Sequence, residues 1–211
     1  MNIELKAMAC LLVYPRQQLF DELDEISSSI QNAPTLSHKV KENLSKMIEH
    51  FSSSSLANLQ GIYVSTFDLG KKASLNLFEH LHGDSRGRGS AMLNLLRLYE
   101  DHGLKFESNE LPDFLPAILE FLSGLKFADA QMWLASAAPL IQSINRELKL
   151  MNSPWLPVTE ALLSIANVKP EKAELTQDDL TPTLDAEWQD QPVTFGGGTN
   201  PVEQPIRFVK K

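Results

Sequence analysis

The sequence lacks the features that mark secreted and membrane-spanning proteins. It contains one cysteine, Cys10, which excludes an internal disulfide and gives no sign of an oxidising compartment. Cys10 sits in an apolar run, and we expect a buried, unreactive thiol there. No stretch approaches the roughly 20 consecutive apolar residues that cross a bilayer. The opening residues 1–6 include Glu4 and form no basic region of a secretory signal. The expected location is therefore the cytoplasm, without direct membrane insertion.

An excess of basic residues is also missing. The formal net charge is -8 and the sequence pI is near 5.1. A surface that binds nucleic acid usually carries a basic patch, so the composition argues against a DNA- or RNA-binding regulator. A negatively charged protein attracts basic partners instead.

What the sequence has in abundance is apolar residues at helical spacing. The 211 residues suffice for one main domain with a sizeable core. Leu5, Met8 and Leu12 share one helical face, and no strict alternation typical of a strand appears before the C-terminal segment. We therefore predict an all-α, single-domain helical bundle at residues 1–168. The predicted helices cover about 3–14, 17–30, 36–51, 56–67, 71–82, 92–99, 115–122, 128–151 and 155–165.

Composition changes after Lys169. The remaining residues hold five prolines and the triplet 196–198 of glycines, so we predict a mobile C-terminal tail at 169–211. Thr181 and Pro182 are typical of a helix start, and a short helix near 182–190 would carry Leu184 and Trp188.

Two histidines and an acid, His80, His82 and Asp84, raise the possibility of a metal site. Histidines at positions i and i+2 do not share a helix face, and no second motif completes a ligand set. A histidine that forms hydrogen bonds near a helix end is the simpler interpretation, and we predict no metal and no cofactor. A small helical metal-dependent hydrolase built on these three residues is an alternative.

The glycine-rich segment 83–89 has the glycine content of a phosphate-binding loop. It lacks the GxxxxGK[ST] pattern and the surrounding strands and helix of such loops. A sharp turn between helices, with each glycine free to take positive φ, is the expected structure.

A cluster of acids and prolines at 110–116 opens another predicted helix. Asp113 is placed to cap a helix that begins near Leu115, and Pro116 suits its first turn. The alternative is an acidic rim of a peptide-binding groove, shared with Glu120. Paired carboxylates also suggest acid–base catalysis, but no nucleophile accompanies them.

Three motifs along the chain resemble the NarJ family. They are Tyr63-Val-Ser-Thr-Phe-Asp68, the segment from Ser74 through His80-Leu-His-Gly-Asp-Ser-Arg-Gly-Arg-Gly89, and Tyr99-Glu-Asp-His-Gly-Leu104 leading to Glu110-Leu-Pro-Asp-Phe-Leu-Pro116. Their order and spacing extend over residues 63–122. Phe114 departs from the histidine that many members of the wider redox-chaperone group carry at this position.

This resemblance implies an all-helical chaperone fold shared with the TorD and DmsD proteins. It implies binding to the apo catalytic α subunit of a respiratory nitrate reductase, including its N-terminal peptide, which is kept competent for insertion of molybdenum cofactor and iron–sulfur clusters. The expected partners extend to the proteins that make the molybdenum cofactor. A sibling chaperone for another molybdoenzyme or for a twin-arginine leader is an alternative.

The resemblance and the acidic clusters together define a set of expected client-binding residues. Apolar helical stripes supply the walls of a groove and acids supply its rim. The set comprises Tyr63, Phe67, Asp68, Glu79, His80, His82, Asp84, Arg86, Glu110, Pro112, Asp113 and Glu120.

Overall fold

The computed structural model describes residues 1–82, 87–170 and 207–210, and most of them are helical. The predicted all-α class is therefore confirmed. The helices are α1 (Ile3–Leu12), α2 (Gln17–Asn32), α3 (His38–Ser53), α4 (Leu56–Tyr63), α5 (Glu79–His82), α6 (Gly87–Asp101), α7 (Leu115–Ser123), α8 (Phe127–Leu150) and α9 (Leu156–Ile165).

Capping residues and prolines set several helix ends where the sequence predicts them. The hydroxyl oxygens of Ser37 and Ser55 accept hydrogen bonds from the third residue of α3 and of α4. Gly103 follows α6 with φ of 73°, a left-handed conformation that glycine adopts without strain. Helix α8 continues without interruption through Pro139.

Helix α1 lies at the centre of the bundle, packed against α2, α7 and α9. Its residues Leu5, Met8, Leu11 and Leu12 are fully buried. The side-chain amide of Asn2 donates to the carbonyl oxygens of residues 122 and 125, so it ties the start of α1 to the end of α7. Burial of the apolar face of α1 thus fixes the position of α7 beside it.

Helix α9 is a second anchor of the core. It begins at Leu156 with Pro157 in its first turn, within one residue of the predicted start at 155. The fully buried Trp155 precedes it, and its indole Nε1 donates to the carbonyl of Leu11 at 2.8 Å. This bond satisfies the polar atom of a large buried ring. Helices α3 and α8 pack on the outer sides of α9.

The predicted helix over 71–82 is wrong for most of its length. Residues 71–73 form one 3-10 turn, and α5 covers only Glu79–His82. Between them, Asn76 pairs in an isolated antiparallel bridge with Phe114. Two long-range backbone bonds, from the amides of Leu77 and Leu115, replace the helical pattern, as described below. The expected glycine turn at 83–89 is wrong for Gly87 and Gly89, which lie inside α6, while residues 83–86 lie outside the described part of the chain.

A two-stranded antiparallel pair was not predicted. Strand β1 (Leu104–Glu107) follows α6, and strand β2 (Arg207–Lys210) pairs with it in the register Leu104 with Lys210. Part of the predicted tail therefore lies against the helical body. The possible helix at 182–190 lies outside the described residues.

None of the helices within the described residues has the length and apolarity needed to cross a membrane.

Candidate functional site

A groove of about 470 Å³ lies between α1, α2 and α7. We call it the main groove. Its walls combine apolar side chains with four acids and two bases. The lining residues are Lys6, Ala9, Cys10, Val13, Tyr14, Arg16, Gln18, Leu19, Glu22, Tyr63, Phe67, Asp68, Ser74, Leu75, Asn76, Glu110, Phe114, Pro116 and Glu120.

A smaller polar recess of about 310 Å³ adjoins the main groove. Phe67, Asp68, Ser74 and Asn76 line both cavities. Glu79, another predicted site residue, lines the recess but not the main groove. We call this second cavity the acidic recess. The two cavities thus share part of their lining, and Phe67 and Asp68 are two of the four residues at this junction.

A cluster of aromatic rings lies beneath this junction. Phe67 packs edge-on against Trp155 with ring centroids 5.4 Å apart, and Tyr63 contacts both rings. The Tyr63 hydroxyl donates to the carbonyl of Leu12 at 3.0 Å. Tyr14 meets Tyr63 edge-on at 5.4 Å. These contacts hold the chain between α4 and the recess against α1 and α9, so the junction rests on the core.

Asp113 holds another wall of the groove in place. Its carboxylate Oδ2 accepts a hydrogen bond of 2.9 Å from the amide of Phe78, and its carbonyl accepts from the amide of Leu77. The amide of Leu115 donates to the carbonyl of Leu75 at 2.8 Å. The irregular segment 74–78 is thus fixed against the start of α7, and Asn76 reaches the groove from it.

The predicted helix cap by Asp113 is therefore wrong. The N-cap position of α7 is Phe114, and Pro116 lies in the first turn as predicted. Asp113 is fully buried, and within the described residues its second oxygen, Oδ1, has no hydrogen-bond partner. Burial raises the pKa of this carboxyl, while the Phe78 amide and then the Arg88 charge act in the opposite direction.

Two titratable groups of the main groove, one on α1 and one on α7, are partly buried. Burial raises the pKa of Glu120, and Lys6 acts against this rise. Burial also raises the pKa of the Cys10 thiol, and the charges of Glu22 and Glu120 add to it. Cys10 is half-buried and lines the groove, which differs from the expected core thiol.

The structure brings half of the predicted client-binding residues to the concave surface. Tyr63, Phe67, Asp68, Glu110 and Glu120 line the main groove, and Glu79 lines the acidic recess while paired with Arg88 at 3.1 Å.

The other predicted site residues have different positions. Asp113 lies beneath the wall, and the carbonyl of Pro112 accepts from the Tyr99 hydroxyl at 2.8 Å. His80 donates from Nε2 to the carbonyl of Ser74 at 2.8 Å, which confirms the predicted hydrogen-bonding histidine. Asp84, Arg86 and the His82 side chain lie outside the described part of the molecule.

The α1 and α2 side of the groove was missed from the sequence. Lys6, Cys10 and Val13 follow each other at helical spacing, and Glu22 faces them from α2. This second stripe of α1 was readable, but a surface stripe indicates a groove only once the neighbouring helices are placed.

A metal centre finds no support among the described residues, where no group of three or more His, Cys, Asp or Glu side chains could hold an ion. Asp84 and the side chain of His82, two members of the alternative hydrolase site, are not described, so that alternative is not tested.

The fold and this surface define an all-helical protein with an apolar, acid-rimmed groove. The sequence pattern of the nitrate reductase delta subunit family matches residues 33–160, more than half of the chain, and the protein belongs to this family. It is 34% identical over 200 residues to the nitrate reductase molybdenum cofactor assembly chaperone NarJ of Escherichia coli K12, covering 92% of this chain and 85% of the relative.

Two further relatives have similar descriptions. The probable chaperone NarW of Escherichia coli K12 is 34% identical, with 90% of this chain and 83% of the relative covered. The probable nitrate reductase molybdenum cofactor assembly chaperone NarJ of Bacillus subtilis is 30% identical, with 77% of this chain and 88% of the relative covered.

Proposed function

We propose that this protein is a non-enzymatic, cytoplasmic chaperone for the assembly of a respiratory nitrate reductase. It binds the apo catalytic α subunit, including its N-terminal segment, and keeps it competent to receive the molybdenum cofactor and iron–sulfur clusters. The observation that carries the proposal is the main groove in a chain of this family.

The shape and lining of the groove suit a short amphipathic segment. An amphipathic helix binds by placing apolar side chains, spaced three or four residues apart, into a groove lined with apolar residues. Val13, Leu19 and Phe114 supply such surfaces in the main groove. A cavity of about 470 Å³ accommodates a few side chains, so the remaining contacts of a large client subunit would lie elsewhere on the protein.

The charge of the surface favours a segment that also carries basic residues. Asp68, Glu110 and Glu120 line the main groove, and Glu79 lines the adjoining recess. Opposite charges raise the rate of encounter and discriminate between partners more than they raise affinity. We therefore expect added salt to slow association and weaken binding.

Calorimetry with a synthetic peptide of the N-terminus of the nitrate reductase α subunit tests the proposal. We expect saturable binding that Glu110→Gln weakens. Glu49→Gln is the matched control, because Glu49 is an exposed acid on α3 that does not line the groove. A peptide of the same composition in scrambled order should not bind.

The single cysteine offers an independent readout at the groove itself. Cys10 lines the main groove and is half-buried. Bound peptide should slow alkylation of Cys10 by N-ethylmaleimide, measured by mass spectrometry. Heat of binding without protection of Cys10 would place the peptide elsewhere, and no heat at concentrations up to the millimolar range would contradict the proposed client.

A further inference from the structure

Helix α4 does not end in a regular turn but continues as a π-helical turn, Val64–Asp68. The amide of Leu69 donates to the carbonyl of Val64 at 3.0 Å, a bond to the fifth preceding residue rather than the fourth. Such turns are rare and occur often at functional sites. Here the turn carries Phe67 and Asp68, two of the four residues that line both the main groove and the acidic recess.

Two hydroxyl groups meet one carbonyl at the start of this turn. Ser65 Oγ and Thr66 Oγ1 donate to the carbonyl oxygen of Ile62 at 2.9 and 2.7 Å. Thr66 is buried, whereas Ser65 is exposed. In a regular α-helix the Ile62 carbonyl accepts from the amide four residues later. Hydroxyl donors compete for this acceptor and disturb the helix locally.

Other serines in the same molecule allow one hydroxyl donor on a helical carbonyl to be compared with two. Ser136 alone donates to the carbonyl of Met132, and α8 continues regularly past it. At the end of α3, Ser53 and Ser54 both donate to the carbonyl of His50, and the α-helix stops there. One hydroxyl is compatible with a regular helix, while two on one carbonyl coincide with its end.

The turn determines where the junction residues point. Successive residues of a regular helix are rotated by about 100°. A change from π to α geometry after Ile62 would therefore reorient the Phe67 and Asp68 side chains relative to α4. Phe67 would lose its edge-on contact with Trp155, and Asp68 would leave the surface shared by the two cavities.

We propose that the paired hydroxyl contacts on the Ile62 carbonyl maintain the π-turn and that Thr66 is a positioning residue for client binding. Thr66 acts through Phe67 and Asp68, which line the groove. This role rests on the proposed function of the groove.

The test compares two single variants that differ by one hydroxyl. Thr66→Val removes the buried donor, leaves Ser65 as the remaining hydroxyl on the Ile62 carbonyl and keeps the branched shape of residue 66. Thr66→Ser keeps both hydroxyl donors. With the α-subunit N-terminal peptide, calorimetry should show about tenfold weaker binding for the Val variant, or about 1.4 kcal/mol, and near-normal binding for the Ser variant.

A double-mutant cycle separates positioning from a general loss of stability. Asp68→Asn should weaken binding in the wild-type background and have little further effect in the Val variant, because Asp68 has already moved. Melting temperatures are measured for each variant, and Thr66→Ala replaces the Val substitution if that variant does not fold.

Each outcome decides a different point. Equal affinities of the Val and Ser variants, or an additive effect of Asp68→Asn, would overturn the positioning role while the proposed function stands. If the wild-type protein does not bind the peptide, both proposals fail together.

Discussion

Two kinds of structure line the main groove. Helices α1 and α7 form part of it as regular helices whose opposite faces are buried in the core. The π-turn and the irregular segment 74–78 form another part, which depends on a few hydrogen bonds. Apolar burial stabilises the first part over a large area, while single polar contacts determine the geometry of the second. The difference predicts where a substitution changes stability and where it changes binding.

Loss of a core side chain beneath the groove should have the largest effect. Trp155→Ala removes a fully buried ring and its bond to the Leu11 carbonyl. We expect a loss of about 3–5 kcal/mol in the free energy of unfolding, measured by urea denaturation. Trp155→Phe should lose less, because it keeps the contacts with Phe51 and Phe67. An Ala variant as stable as the wild type would mean that the aromatic cluster does not anchor the groove.

Loss of the buried carboxylate should destabilise the irregular part more modestly. Asp113→Ala removes the carboxylate that accepts from the Phe78 amide, and loss of this buried hydrogen bond costs about 1–3 kcal/mol. Asp113→Asn can still accept this hydrogen bond and avoids burying a charge. We expect peptide binding to fall in the Ala variant and to persist in the Asn variant.

The pH dependence of stability gives a further check on Asp113. Its pKa is raised in the folded protein, so the ionised form is disfavoured by folding. The wild type should therefore gain stability relative to Asp113→Asn as the pH falls through the folded-state pKa toward the unfolded value of about 3.8. Parallel curves of urea midpoint against pH for the two proteins would contradict a raised pKa at this site.

Glu120 should have the smallest effect on stability and a distinct effect on binding. It is only partly buried on α7 and lines the main groove, where its pKa is raised mainly by burial. Glu120→Gln should leave the melting temperature nearly unchanged and weaken binding of a basic peptide at neutral pH. Calorimetry at lower pH should show the difference shrink, since a protonated Glu120 carries no charge. A constant difference at every pH would exclude a charge contribution from Glu120.

The helical part of the molecule was largely readable from the sequence. Apolar spacing predicted α1 to α4, because this signal acts within a few residues. The irregular segment 74–78 could not be predicted in the same way. Leu75 and Phe78 have the spacing of a helix, but the partners that hold their backbone groups lie near residues 113–115.

Site prediction was limited for the same reason. Asp113 stands at a position that suits a helix cap, and its pairing with the Phe78 amide becomes visible only when the two segments meet. The π-turn is a similar case. In the sequence Ser65 and Thr66 look like ordinary helix residues, and only the structure shows that both hydroxyls donate to the same carbonyl. The NarJ-type motifs contain several residues that line the main groove, such as Phe67 and Glu110, while the groove residues of α1 required the fold.

The central position of α1 has a consequence for the order of folding. Asn2 bonds to Leu122 across 120 residues, and the Leu11 carbonyl accepts from Trp155 across 144 residues. Helical bundles usually fold fast because their contacts are local, whereas distant contacts require closure of long loops. The apolar surface of α1 that α7 and Trp155 cover therefore stays unprotected until these later segments have been synthesised. A nascent chain that stalls before α9 would expose this helix and be prone to aggregation.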